Sequence, residues 1–198
     1  MINVHFKNTQ NFGDLKSAIS NYLPMPSIDW QDITGEEELI AGGGILPLSL
    51  ATKIRSKYLV LACGGLTNTK KDLPKKATII GWRDITTAPI GCWCPCLSCL
   101  LPEFNIDYTT KRKNGFVSNL QYGIFKSGIT NHNQKMIKYI GESEQITTNS
   151  YHAIYWARLL KKPVTIVGTR PKLHSLPEEL NLEECRNICK NKLNLIKI

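Results

Sequence analysis

Two hydroxyls, an amide and an imidazole stand together in Thr148-Asn149-Ser150-Tyr151-His152, directly ahead of a run of apolar residues. An imidazole titrates close to neutrality and suits proton transfer. Polar groups at the start of a helix join its free N–H groups in holding an anion. His152 is therefore a candidate acid, and Asn149 and Ser150 are candidate anion-binding groups. A second set is Asn11-Phe12-Gly13-Asp14, a glycine and a carboxylate ahead of another apolar stretch. A third is Gly42-Gly43-Gly44, whose missing side chains allow close backbone approach and positive φ.

Each set needs an element to position it. Glu144 to Thr148 reads as a strand, and Tyr151 to Leu160 as a helix so apolar on all sides that it must lie inside a core. Ser150 or Asn149 is expected to cap it, while Lys161-Lys162-Pro163 stops it. Val164 to Val167 is the next strand, and Gly168-Thr169-Arg170-Pro171 the loop after it.

Towards the N-terminus, Ile2 to Phe6 reads as a strand and Leu15 to Tyr22 as a helix ended by Pro24 and Pro26. Glu38 to Ala41, Lys57 to Cys63 and Ala77 to Trp82 read as buried parallel strands, the last running into Arg83-Asp84. A polar, basic stretch from Phe104 to Gly115 marks a boundary. Phe116 to Ile129 is expected to hold one or two strands, Asn131 to Tyr139 a helix with His132 exposed or capping, and Leu176 onward a terminal helix with Cys185 and Cys189 on one face. The repeated strand, polar loop and helix predict an α/β protein with a mostly parallel, Rossmann-like sheet of six or seven strands. Two halves are expected, residues 1–108 and 109–198.

The chain of 198 residues is 42% hydrophobic and 21% charged, as globular proteins are. Its start lacks the pattern of a signal peptide, and no apolar run reaches the ~20 residues of a membrane span, so a cytoplasmic protein is expected. The net charge of +9 points to anionic partners. Its lysines sit in short clusters, Lys70-Lys71, Lys75-Lys76 and Lys111-Arg112-Lys113, without the long basic and aromatic stripe of a nucleic-acid surface.

Four of the seven cysteines fall in Cys92-Trp93-Cys94-Pro95-Cys96-Leu97-Ser98-Cys99. Structural zinc usually takes two well-separated C-x-x-C knuckles. Four thiols within eight residues fit buried small side chains beside a Trp better, and reduced, metal-free cysteines are expected.

Thr148-Asn149-Ser150-Tyr151-His152-Ala153, followed by the apolar helix and Lys162-Pro163-Val164, resembles the C-terminal signature of the polysaccharide pyruvyl transferase family, whose forms include Thr-Ser-Arg-Leu-His-Gly and Thr-Asn-Ser-Tyr-His-Gly. Asn11-Phe12-Gly13-Asp14 is similar to its opening Asn-x-Gly-Asp, and Gly42-Gly43-Gly44, Arg83-Asp84 and the Trp93-Cys94-Pro95 segment stand where the family has comparable elements. The chain looks like a compact member.

The resemblance implies two small halves arranged like a glycosyltransferase of the two-Rossmann-domain (B) type. It further implies transfer of a ketal pyruvyl group to a sugar of a polysaccharide or glycan precursor, with phosphoenolpyruvate as donor and no cofactor. His152 and Asp14 would be catalytic, and Asn11, Gly13, Gly42, Gly43, Gly44, Arg83, Asn149, Ser150 and Arg170 would bind substrate. A lipid-linked acceptor would bring the chain to the inner face of the membrane; nucleic acid is not expected. Ser150 replaces the arginine of the commoner signature, so Arg170 or Arg83 must supply the charge, or the donor differs. A glycosyltransferase using a nucleotide-diphosphate sugar is the alternative enzyme, and a Cys-rich metal or nucleic-acid-binding module the alternative of another class.

Overall fold

The computed structural model describes residues 1–35, 38–45, 54–55, 57–65, 73, 75–119 and 127–196. Lys70-Lys71 and part of the expected strand region between Phe116 and Ile129 lie outside the described residues. Those described form an α/β fold with nine strands in two wholly parallel sheets.

The first sheet contains β1 (Ile2–His5), β2 (Ser27–Asp29), β3 (Leu39–Gly42), β4 (Tyr58–Leu61) and β5 (Ala77–Ile79) in the order β2-β1-β3-β4-β5. The second contains β6 (Arg112–Ser118), β7 (Ile129–Thr130), β8 (Ser143–Thr148) and β9 (Val164–Ile166) in the order β7-β6-β8-β9. Both orders share one property: the chain leaves its first strand to one side and returns on the other. The crevice at the carboxyl ends of the two strands flanking that reversal is where open α/β sheets bind ligands. Here the reversals fall between β1 and β3 and between β6 and β8.

β3 and β4 are apolar and nearly inaccessible because helices or loops cover both faces of a parallel sheet. β2 was not foreseen, and β6 starts inside the stretch expected to be a boundary. The reason lies in its edge. Val117 and Ser118 of β6 pair with β7, and among the described residues Arg112 to Phe116 have β8 alone as strand neighbour and can carry polar side chains. Arg112 lies over the Tyr139 ring and bonds Glu142, as does Lys111.

The expected helix from Leu15 to Tyr22 is broken. It begins earlier, as α1 (Phe12–Lys16), turns at Ser17 and resumes as a 3₁₀ turn over Ile19–Asn21. Glycines explain the break. Gly43 has φ +84°, and a Cβ there would stand 2.5 Å from the Ser17 carbonyl oxygen, so the chain after β3 packs backbone to backbone against this turn. The approach that glycine permits is to the protein's own chain.

α2 (Met136–Gly141) is shorter than expected, with Asn131 to Lys135 in turns, and α3 (Tyr151–Leu159) is the buried apolar helix. α4 (Leu182–Leu193) starts later than Leu176, capped by Asn181, and buries Cys185 and Cys189 as its periodicity predicts. None of the described helices is long and apolar enough to cross a membrane.

One core runs through both halves. Ile19, Ile40 and Leu61 under the first sheet join Val117, Ile146 and the α3 side chains under the second. The cysteine segment seals the junction: the Tyr155 hydroxyl donates to the Cys96 carbonyl at 2.9 Å and the Trp156 indole to the Ser98 hydroxyl at 2.9 Å. All seven cysteines are free thiols, and among the described residues no group of three or more His, Cys, Asp or Glu side chains is arranged to hold a metal ion.

α3 ends without glycine. Lys161 takes φ +54°, its N–H bonding Arg158 and that of Lys162 bonding Ala157, which is the left-handed stop that normally uses glycine. Lys161 is exposed, so Lys161→Gly should raise stability by roughly 0.5–1 kcal/mol in urea denaturation. An unchanged or lowered midpoint would contradict this account of how the helix ends.

Candidate active site

The two strand reversals open onto the same cleft. The loop after β1 and the first turn of α1 supply Asn11 and Asp14, the loop after β3 supplies Ile45, the one after β6 supplies Asn119, and the elbow after β8 supplies Ser150, Tyr151 and His152. Arg83, following β5, and Lys172, following β9, complete an inner compartment of about 40 Å³. A wider outer cleft of about 530 Å³ adjoins it, sharing Asn11, Asp14, Ile45, Asn119 and Lys172 and adding Phe6, Thr9, Asn131 and His132.

Local chemistry fixes each wall. Asp29, ending β2, accepts from the N–H groups of Lys7 and Asn8, and Asn11 caps α1 by accepting from Gly13 N–H at 3.1 Å. In the elbow, the Thr148 hydroxyl donates to the Val117 carbonyl at 2.6 Å and accepts from Ser150 N–H at 3.0 Å. Ser150 occupies the N-cap position of α3, but its hydroxyl makes no capping bond. Asn149 does not cap either, because its Oδ1 is taken by Asn119 N–H at 2.7 Å. The first-turn N–H groups of a nine-residue helix are thus left without a side-chain cap beside the inner compartment.

His152 lies 3% exposed on Gly13: a Cβ at that glycine would fall 2.2 Å from the imidazole Cγ and Nδ1. Its Nδ1 is 3.9 Å from Asp14 Oδ1, a close approach without a direct hydrogen bond. Burial, with the charges of Arg83 and Lys172 adding to it, holds the imidazole well below its ordinary pKa, and burial raises Asp14 against the pull of the same two cations. The free site therefore does not hold His152 ready to titrate near neutrality, as its residue type alone suggests.

Arg83 is 1% exposed. Its guanidinium lies 4.0 Å from the centre of the Tyr151 ring and 3.8 Å from Asp84 Oδ1, and its Nε has no hydrogen-bond partner. Asp84 is engaged elsewhere, accepting from Gly65 N–H at 2.7 Å and from the Ser175 hydroxyl at 3.2 Å. Among the described residues, seven buried side-chain polar atoms lack a partner, and four of them belong to residues lining this cleft: Arg83 Nε, Tyr151 OH, His152 Nε2 and His132 Nδ1. Such groups are few in native proteins, so their concentration here points to a partner from outside the chain.

Other expected site residues lie elsewhere. Arg170 does not line either compartment; its guanidinium donates to the Asn149 carbonyl at 2.8 Å and braces the elbow from behind. Gly42 packs on Ile19, Gly43 on Ser17, and Gly44 next to Asp14, so the triple glycine shapes the wall. His132 is half-buried in the outer cleft, neither exposed nor capping. Lys172 was not foreseen, since its sequence context reads as an ordinary loop.

Comparison of the chain with protein-family models, curated proteins and solved structures found no match.

Burial, reinforced by Arg83 and Arg170, lowers Lys172 to about 8. Binding of inorganic phosphate should therefore weaken as pH rises through about 8 and the ammonium loses its proton, and Lys172→Ala should remove that step in a calorimetric titration; a wild-type affinity flat from pH 7 to 9 would contradict it. Gly13→Ala should displace His152, costing at least 10-fold in phosphate affinity if the elbow moves with it. Unchanged binding, with unchanged imidazole NMR shifts, would show that the ring does not depend on this glycine.

Proposed function

We propose that the chain is a transferase that moves a small group from an anionic donor to a sugar of a polysaccharide or glycan precursor, the donor being phosphoenolpyruvate and the product a pyruvyl ketal. The observation that carries this reading is the inner compartment: Arg83, Lys172 and the uncapped start of α3 surround the neighbouring His152 and Asp14. Two cations and free N–H groups suit a phosphate or carboxylate. Its about 40 Å³ accommodates such a group and not a nucleobase or ribose, which favours phosphoenolpyruvate over a nucleotide sugar. Two Rossmann-like halves flanking one cleft also fit the arrangement of B-type glycosyltransferases.

The reaction asks for a proton at the methylene carbon of the donor, attack of one acceptor hydroxyl on the adjacent carbon, and attack of a second with expulsion of phosphate. One C–H bond, two C–O bonds and an O–H bond on phosphate form, and the C=C π bond of the donor, two O–H bonds and the C–O bond to phosphate break. One hydroxyl proton balances the new C–H bond and the other leaves with phosphate. Burial depresses His152 first and the charges of Arg83 and Lys172 deepen the depression; the donor's negative charge, arriving beside those cations, opposes it and so favours a protonated imidazole with the substrate bound. Asp14, on the wall between the two compartments, is placed to take a proton from an acceptor hydroxyl. Acceptors linked to lipid would place the enzyme at the cytoplasmic face of the membrane, where the charge of +9 favours anionic lipid surfaces.

Phosphoenolpyruvate at a hundred times its Kd should stabilise the protein by roughly 2.7 kcal/mol in thermal unfolding, with UDP-glucose giving no shift. His152→Gln should keep most of that stabilisation yet lower phosphate release in the presence of a glycan-precursor panel by about 10²-fold or more. Stabilisation by UDP-glucose alone would replace this reading with the glycosyltransferase one.

A further inference from the structure

The outer cleft differs in chemistry from the inner compartment it adjoins. Among the described residues, its charged groups, Asp14 and Lys172, both lie on the shared wall, and those that it alone adds are Phe6, Thr9, Asn131 and His132. Phe6 is half-buried and meets the Trp30 ring edge-on at 5.9 Å, which fixes the orientation of its own ring. His132 comes from the loop after β7, on the other side of the cleft, and its buried Nδ1 has no partner within the protein. The about 530 Å³ falls in the range of small-ligand sites, roughly 300–1,000 Å³.

We infer that this outer cleft is an acceptor compartment for one neutral pyranose unit, whose apolar ring face rests on Phe6 and whose hydroxyls meet His132 and Asp14. Among the described residues, the cations that an anion would meet lie at the inner end. A ring with one apolar face and a rim of hydroxyls matches a single aromatic wall surrounded by amides, a hydroxyl and an imidazole. Because Asp14 belongs to both compartments, a hydroxyl of the bound sugar is directed toward the inner group. His132 then acts as a positioning residue for the acceptor. The inference rests on the transferase reading for the role of the sugar, and on the cleft itself for its binding.

The test is saturation-transfer NMR on the whole chain with the methyl β-pyranosides of glucose, galactose and mannose, alongside thermal unfolding with phosphoenolpyruvate. At least one glycoside should receive saturation, strongest at the ring protons of one face, and Phe6→Ala and His132→Ala should each reduce it at least fivefold while leaving the phosphoenolpyruvate shift unchanged. The two variants lie on different loops, so failure of one to fold leaves the other decisive. Absence of transfer to all three glycosides, with phosphoenolpyruvate still binding, would overturn the inference and leave the donor site standing. Transfer that survives both substitutions, or that UMP displaces while phosphoenolpyruvate does not bind, would also overturn it. Glycoside transfer lost in both variants without any phosphoenolpyruvate binding would keep the inference and remove the pyruvyl donor.

Discussion

A buried guanidinium without a hydrogen-bonding anion is among the costliest arrangements a protein core can hold, and Arg83 is held that way. Asp84 lies 3.8 Å away but spends its oxygens on Gly65 and Ser175, and the Tyr151 ring offers only its face. Arg83 cannot lose its proton to escape the cost. Burial, with the charge of Arg83 adding to it, lowers Lys172 and His152, while burial raises Asp14 against the pull of Arg83. The part of the Lys172 and His152 shifts that comes from neighbouring cations would relax on arrival of an anion, while Asp14 would be raised further. On the proposed reading, the site is in a state that anion binding completes.

What keeps that charge in place is topology. Two parallel sheets each reverse direction beside their first strand, and their open carboxyl ends meet across one cleft. The hydrophobic cluster shared by both sheets, stitched by Tyr155 and Trp156 to the cysteine segment, fixes the two reversals relative to each other. The cysteines in this reading are small apolar filling, and Trp93, which donates to the Arg83 carbonyl at 3.2 Å, ties the same segment to the site.

Some of this was legible in the sequence and some was not, for physical reasons. The elbow at Thr148 to His152 stands out because a polar knot interrupts an otherwise apolar strand and helix, and β3, β4 and β8 followed from their composition. β6 was hidden by its half-unpaired edge, which removes the demand for apolar side chains. The glycines at 42–44 signalled close approach correctly in kind, but the approaching group is Ser17 and Ile19. Lys172 carried no signal at all. A lysine in a loop becomes part of a site only when another strand's charge is brought beside it, and that contact is set by fold, not by spacing.

The central claim is that one small anion bridges the two strand reversals, held by Arg83, Lys172 and the start of α3. A crystal structure of the protein soaked with phosphoenolpyruvate tests it most directly. The account predicts ligand oxygens within hydrogen-bonding distance of the Arg83 guanidinium, the Lys172 ammonium and the Ser150 hydroxyl or first-turn N–H groups of α3. Ligand bound elsewhere, with Arg83 Nε still lacking a hydrogen-bond partner at full occupancy, would contradict it.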